Sequence, residues 1–321
     1  VEMNVALRVR NNDACLPKHL VDPVAEVTSD DAKIPVTARV YPEKQIENQS
    51  VVAKVFEDHP RLGIFENVHM LAGRLGDKSF DEGTEISMAE VADALRRKDT
   101  VTTSRPAPAR FADTYAALAG QGYEHIVSVH LSGDMSGTYD AARIAAREAP
   151  VPVTVVDSRT VGMALGFAAR SATLVAEAGG SASEAAAAAE RRASASHTWI
   201  VVESLDQLRR GGRIGAAQAL LGIALRVKPI VEVRDGTIAP LEKQRTMGRA
   251  VARMAEHAAE FAGSAPADVV VQHCVSEQRA QDLAGTLRAA LPAAVVHVIE
   301  VGSVISAHVG LGTISVAVCP R

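Results

Sequence analysis

Ile126-Val127-Ser128-Val129-His130-Leu131 runs directly into Ser132-Gly133-Asp134-Met135-Ser136-Gly137-Thr138-Tyr139, and the fold follows from that junction. A short run rich in β-branched residues, closed by a Ser-Gly-Asp cluster, reads as a buried strand over 126–131. Small hydroxyl residues and glycines followed by Ala141-Ala142 read as a loop feeding a helix that reaches about Glu148. Just upstream, Thr102-Thr103-Ser104-Arg105-Pro106-Ala107-Pro108 opens a helix over about 109–119. Just downstream, 152–156 is another strand, closed by Asp157-Ser158, which is read as the cap of the next helix. Loop, helix and strand in repetition specify a mostly parallel sheet flanked by helices. In such sheets ligands sit beyond the carboxyl ends of the strands, the edge at which both hydroxyl loops fall.

The pattern extends in both directions. Val68–Leu75 reads as a strand and Gly76-Asp77-Lys78 as a turn. Ser87 with Glu90 three residues later is a capping box for a helix to about Lys98. An alanine-rich helix over about 162–178 ends at Gly179-Gly180, and Ser183 is taken to start the next, to about Ser194. After a strand at 198–202, the helix 204–210 is stopped by Gly211-Gly212. Ile214–Leu225 reads as buried and apolar. Arg234-Asp235-Gly236 joins 229–233 to 237–241 as a hairpin. Helix 246–262, strand 268–272, helix 277–291 and strand 294–299 follow, and Val301–Cys319 reads as strand, turn and strand. The second half is therefore α+β with a mixed sheet. Residues 1–66 carry only short apolar runs broken by charge.

Composition narrows the function. With 321 residues and 47% hydrophobic content the chain can build two ordinary cores. A net charge of -4 and 3% aromatic residues argue against a nucleic-acid partner, which needs basic surface and stacking platforms. Cys15, Cys274 and Cys319 are odd in number and show no CxxC spacing, which fits free thiols in a reducing compartment. No h-region opens the chain, and a cytoplasmic location is expected.

Motif chemistry points to binding. There is no GxSxG elbow, P-loop or HExxH, and Gly310-Leu311-Gly312 makes a poor dinucleotide fingerprint. No metal spacing is present, so no metal, cofactor or catalytic residue is expected. Each hydroxyl loop by itself is explained by turn and N-cap chemistry. Together, before a helix N-terminus, they can hold an anion. His308, next to Gly310 and Gly312, reads either as a core histidine or as a ligand contact. Arg209 and Arg213 bracket Gly211-Gly212, either as cations at a helix carboxyl end or as a docking or phosphate-facing patch.

These stretches resemble the DegV family of bacterial fatty-acid-binding proteins. The resemblance is carried by Lys78–Gly83, Thr103–Pro106, Ser132–Tyr139, Val155–Ser158, Leu208–Ile214, Lys228–Ile230, Asp235-Gly236 and Ala307–Gly310, in family order over roughly 68–318. Arg10–Pro17 and Thr28–Pro35 are loose versions of the family's opening turn. Gly133 stands where the family often has serine, Arg105 replaces a usual glutamine and Leu311 a usual proline.

The resemblance implies an α/β, two-domain DegV-like fold: an N-terminal, mostly parallel sheet flanked by helices (1–158) and a C-terminal α+β mixed-sheet domain (159–321), with a ligand tunnel between them. It implies a lipid-binding protein rather than an enzyme, holding a fatty acid of about sixteen to eighteen carbons at a worth of about 0.8 kcal/mol per buried methylene. The carboxylate would lie at Thr103, Ser104, Ser132, Gly133, Ser136 and His308, a set without a cation. Val161–Ala169 and Ile214–Leu225 are candidate tunnel walls. The implied partner is the ATP-binding subunit of a fatty acid kinase, docking at Arg209 and Arg213, with at most transient contact to a membrane surface. Two other readings stay open: a serine acyl hydrolase using Ser132 or Ser136 with His308, and a small-phosphate binder using the Gly-Arg loop.

Overall fold

The computed structural model describes residues 62–66, 72–75, 78–81, 86–220 and 227–321, the first three segments as backbone strands. The loose opening-turn stretches at 10–17 and 28–35 lie outside the described residues. In chain order the first part comprises β1 (Leu62–Glu66), β2 (Ala72–Leu75), β3 (Lys78–Asp81), α1 (Met88–Arg96), β4 (Val101–Ser104), α2 (Pro108–Gly120), β5 (His125–His130), α3 (Thr138–Ala146) and β6 (Val153–Asp157). Then come α4 (Met163–Glu177), α5 (Ala182–Ser194), β7 (His197–Val201), α6 (Asp206–Arg210) and a 3₁₀ turn at 215–220. The rest is β8 (Lys228–Arg234), β9 (Thr237–Gln244), α7 (Met247–Ala262), β10 (Ala267–His273), α8 (Glu277–Ala290), β11 (Ala294–Glu300), α9 (Ser303–Val309) and β12 (Ile314–Pro320).

The first sheet is parallel, in the order β1-β5-β6. The strand alternation of β5 explains why helices cover both faces. Ile126 packs with Phe111, Tyr115 and Ala142 of α2 and α3, while Val127 and Val129 pack with Leu165 and Ala168 of α4. On the α2 side the buried Tyr115 hydroxyl donates to Ser128 Oγ at 2.9 Å, and Ser128 bonds His130 Nε2 at 2.7 Å. Alanine is what lets α4 and α5 sit close together: Ala168, Ala172 and Ala176 face Ala185 and Ala189 in one cluster. β3-β2-β4 form a small antiparallel sheet.

The second sheet is mixed, in the order β11-β10-β12-β7-β8-β9, with only β10 and β11 parallel. Val269, Val271, Trp199, Val201, Ile314 and Val316 put one face against α7 and α8. The opposite face meets α4 through Val270, Ala317 and Cys319 against Met163, Ala164 and Phe167. Helix α4 therefore touches both sheets. Its first turn is capped across that seam, with Gln272 Oε1 accepting from Met163 N–H at 3.0 Å. Gly162 allows this, because a Cβ there would lie 2.6 Å from the same oxygen.

The Ser87–Glu90 capping box is present at α1, and the hairpin turns at Asp235 (φ 50°) and Gly236 (φ 79°) as a type I′ turn requires. Four local expectations are corrected. The cap of α5 is Ser181, whose Oγ and Glu184 form the capping box, two residues before Ser183. Asp157-Ser158 caps no helix: the Asp157 carboxylate accepts from Gly133 N–H and from Arg159 N–H, and the N-cap of α4 is Gly162. Val301–Cys319 holds the short helix α9 before β12, its seven residues bracketed by Gly302 and Gly310. In 214–220 only Ile214 and Ala217 are buried, while Ala216, Gln218 and Ala219 face solvent.

Candidate functional site

A cavity of about 130 Å³ lies where the hydroxyl loops, α4, α9 and the second sheet meet. That is roughly ten times the room one buried water needs, too large for a packing defect. Its walls are mainly aliphatic, with Leu131, Leu165, Ile200, Leu208, Val304 and Ile305 among the lining residues. Of the two stretches expected as walls, Val161, Gly162 and Leu165 line it, and nothing in 214–220 does.

One region of the lining is polar. Thr103 sits on β4, where alternate side chains turn inward, and shares a 2.7 Å hydrogen bond with His308 Nε2 from the last turn of α9. Gly211 makes room for the imidazole, since a Cβ there would stand 2.2 Å from His308 Nδ1. Nδ1 is buried and has no partner within the described residues. Ser136 also lines the cavity, its Oγ 2.8 Å from Thr138 Oγ1 at the start of α3. Ser104 joins them from β4.

Two guanidinium groups complete this region, which corrects the cation-free set expected above. Arg213 donates from Nε to Met135 O at 2.9 Å and from Nη1 to Gly211 O at 2.6 Å, leaving Nη2 for a ligand. Arg105 lines the cavity beside the N-terminus of α3, where a Cβ on Gly137 would meet its Nη1 at 2.7 Å. A cation at a helix N-terminus faces the positive end of the dipole, an arrangement that favours an anion between them. Arg105 was legible as part of the first loop, but composition gives no reason to turn it inward. Arg213 was read as docking, and only its reach to Met135 brings it into the cavity.

Three of the sequence candidates are not in the lining. Ser132 is fully buried and donates to Gly236 O at 2.6 Å, tying its loop to the hairpin tip. Arg159 holds the same tip through Asp235 O. Gly133 donates to Asp157, and a Cβ at this position would lie 3.1 Å from Asp157 Oδ2 and 3.3 Å from Tyr139 Cδ1. The tight packing explains a residue smaller than serine here. Arg209 is exposed and lies 3.6 Å from Asp206 one helical turn away. The hydrolase reading needs a serine on His308. His308 is instead bonded to Thr103, Ser132 to Gly236 and Ser136 to Thr138, so neither serine of that reading is paired with His308. Among the described residues no cluster of His, Cys, Asp and Glu could hold a metal, and no helix is long and apolar enough to cross a membrane.

Burial pushes His308 down to about 4, with Arg213 adding to the effect, and burial pushes His130 down to about 3. Both rings are neutral near pH 7. An unfolded chain takes up these protons near pH 6.5, whereas the folded one does so only near 4 and 3. Stability is therefore full above about pH 6.5 and falls as pH drops toward 4 and then 3. For His308 the loss is on the order of 3 kcal/mol. Urea unfolding at stepped pH should show this decline, and His308→Gln should roughly halve its slope between 6.5 and 4, with His130 supplying the remainder. Stability that rises on acidification through this window contradicts the assignment.

Comparison with known proteins fixes the lineage. The family model described as "Uncharacterised protein, DegV family" matches residues 68–321. The chain belongs to the DegV family. A DegV domain-containing protein of Streptomyces coelicolor is 54% identical over 248 residues, spanning 77% of this chain and 88% of the relative. One from Mycobacterium tuberculosis is 37% identical over 231 residues, spanning 71% and 82%. Among solved structures, a fatty-acid-binding DegV family protein of Thermus thermophilus superposes with a TM-score of 0.75 at 28% identity, covering 81% of this chain and 99% of that one. DegV of Bacillus subtilis, a fatty acid binding protein, gives 0.74 at 26% with the same coverage. The parallel sheet and the mixed sheet thus match the DegV fold.

Proposed function

We propose that this chain binds a long-chain fatty acid in the cavity, with the carboxylate at Thr103, Ser104, Ser136, His308 and Arg213 and the acyl chain against the aliphatic walls. The observation that carries the reading is the junction of an apolar cavity with two guanidinium groups, hydroxyls and a neutral imidazole at the N-terminus of α3. The fatty-acid-binding relatives from Thermus thermophilus and Bacillus subtilis support it. Ser132 and Gly133 act in this scheme by holding the loop that presents Ser136. The division at 158/159, with the ligand between the two parts, is the frame of the proposal.

Mass spectrometry of an organic extract of the purified protein tests it, and a stoichiometric fatty acid is expected. Thr103→Val should weaken fatty-acid binding by about tenfold, the worth of one charge-assisted hydrogen bond. Ser132→Ala should lower stability by about 1–3 kcal/mol through the unsatisfied Gly236 carbonyl, and change affinity less. An empty extract together with unchanged binding in Thr103→Val removes the reading.

We extend the proposal to presentation of the bound acid, in the cytoplasm, to the ATP-binding subunit of a fatty acid kinase, with brief contact to a membrane surface for lipid exchange. The buried free thiols Cys274 and Cys319 suit a reducing compartment. Arg209, exposed next to the cavity residue Leu208, is the docking candidate, whereas Arg213 serves the carboxylate. Arg209→Glu should depress acyl-phosphate formation in a reconstituted kinase assay at least tenfold while leaving the fatty-acid Kd within about twofold. Equal loss of both sinks the docking role.

A further inference from the structure

The β8–β9 hairpin reaches out of its own sheet to the loop that follows β5. Its tip, Asp235-Gly236, meets three groups from the side of the parallel sheet. The buried Ser132 Oγ donates to Gly236 O at 2.6 Å. Arg159, two residues past β6, donates from Nη2 to Asp235 O, and the same nitrogen lies 3.4 Å from Asp134 Oδ2. All three converge on one position: a Cβ on Gly236 would stand 2.7 Å from Ser132 Oγ, 3.1 Å from Asp134 Oδ2 and 3.3 Å from Arg159 Cζ. Arg159 itself is held at φ 52°, a left-handed conformation uncommon for a long side chain, with its N–H on Asp157 Oδ1 at 2.9 Å. Such an outlier persists where its surroundings impose it, and here it aims the guanidinium at the tip.

The cavity lies beneath this polar layer. Ser132, Arg159, Asp235 and Gly236 do not line it, but their chain neighbours do: Leu131 and Met135 around Ser132, Val161 beyond Arg159 and Ile238 beyond Gly236. Met135, Val161 and Ile238 share one apolar cluster with Val231 and Val233. The seam between loop and hairpin is thus apolar inside and polar outside. Its outer layer is wet, with the Arg159 and Asp134 side chains 54% and 51% exposed, and an ion pair of that kind opens at little cost. The hairpin is also free to bend. Strand β9 is the edge strand of its sheet, and the β8–β9 register shifts between Ile230 and Val231, a bulge that divides the tip from the base.

We infer that Arg159 and the Asp235-Gly236 tip form a clasp whose release opens the seam between Met135 and Ile238 to the acyl chain, so that Arg159 is a positioning residue that sets how fast the ligand exchanges and not how tightly it binds. The inference rests on the fatty-acid reading above. Rate and affinity separate because Arg213 holds Met135 O independently of the tip, which keeps the loop that presents Ser136 in place when the tip lifts. An opening equally available to the empty and the filled protein scales entry and exit alike and leaves their ratio unchanged.

Stopped-flow fluorescence of the delipidated full chain with cis-parinaric acid reads association, and displacement by excess stearic acid reads dissociation. Arg159→Gln should raise both rate constants by about tenfold, the worth of one hydrogen bond from a charged donor, and leave Kd within about twofold. Asp134→Asn removes only the exposed ion pair and should raise both by about twofold to threefold. If parinaric acid binds and both variants exchange it at the unaltered rates, the clasp falls and the fatty-acid reading stands. A rise in dissociation alone, with Kd weakened to match, also overturns the clasp, because Arg159 would then hold the ligand rather than the seam. If neither parinaric nor stearic acid binds the unaltered chain, both readings fall together.

Discussion

Gly211→Ala should abolish tight fatty-acid binding, lowering affinity by about 10- to 100-fold. The backbone at Gly211 is ordinary (φ -75°, ψ -7°), so alanine imposes no conformational strain there. The effect is steric and aimed at one ring. The new methyl would stand 2.2 Å from His308 Nδ1 and 2.9 Å from Cε1. His308 is enclosed in α9, so its ring must swing away and release Thr103. Losing one or two hydrogen bonds at the carboxylate end corresponds to about 1.5–3 kcal/mol, hence the stated range. Overpacking should also cost about 1–3 kcal/mol of stability. Two controls separate the causes. Gly212→Ala meets nothing within 4 Å but sits at φ 70°, so it should cost stability and spare binding. Gly211→Ala combined with His308→Ala relieves the clash, and its affinity should match that of His308→Ala alone. A Gly211→Ala protein with unaltered affinity would remove His308 from the site.

The largest loss of stability is expected at Asp268, far from the cavity. Its carboxylate is 5% exposed and binds Arg192 at 2.6 Å and Arg321 at 2.5 Å. Arg192, 11% exposed, also reaches Pro320 O and lies 5.7 Å from the Phe167 ring centroid. Asp268 holds the Arg321 guanidinium above its ordinary range. Asp268→Ala leaves the Arg192 charge buried without its counter-ion, a loss of about 3–5 kcal/mol. For a chain of this size that lowers Tm by on the order of 10 °C. Adding Arg192→Met removes the stranded charge and should recover most of the loss, since an apolar pair of similar volume is often as stable as a buried ion pair. Thermal denaturation of the single and double variants decides it: if both melt alike, the charge is not the cause. Fatty-acid affinity below the melting range should stay within about twofold, because none of these groups lines the cavity.

What was readable in the sequence was local. The β-branched run 126–131, the Ser87–Glu90 box and the Asp235-Gly236 turn each depend on residues a few positions apart, and each formed, the strand shifted by one residue to His125–His130. Thr103 was read in a loop and chosen for its hydroxyl, whereas Val101–Ser104 is the strand β4, whose alternation turns that side chain inward. Ser132 could not be placed from its own element, because its partner Gly236 lies 104 residues away. Arg213 looked like a helix-end cation until its bond to Met135, 78 residues upstream, turned it inward. Gln272 carried a weak signal as the first polar residue after Val269-Val270-Val271, but its target, the first turn of α4, is a tertiary fact. Helix α9 was missed because its seven residues give too little periodicity to outweigh the glycines around it.

The Thr103–His308 bond spans 205 positions of the chain. During synthesis at 5–20 residues per second, Thr103 therefore waits roughly 10–40 s for its partner to be made. In that interval the parallel sheet and its helices can form, but the end of the cavity proposed to hold the carboxylate is missing a wall. Binding competence is acquired at the last stage of folding, so a nascent chain cannot capture lipid on that site early. A fatty acid that binds only the finished protein, as proposed, would stabilise it by mass action, and lipid supply would then set how long the newly made protein survives.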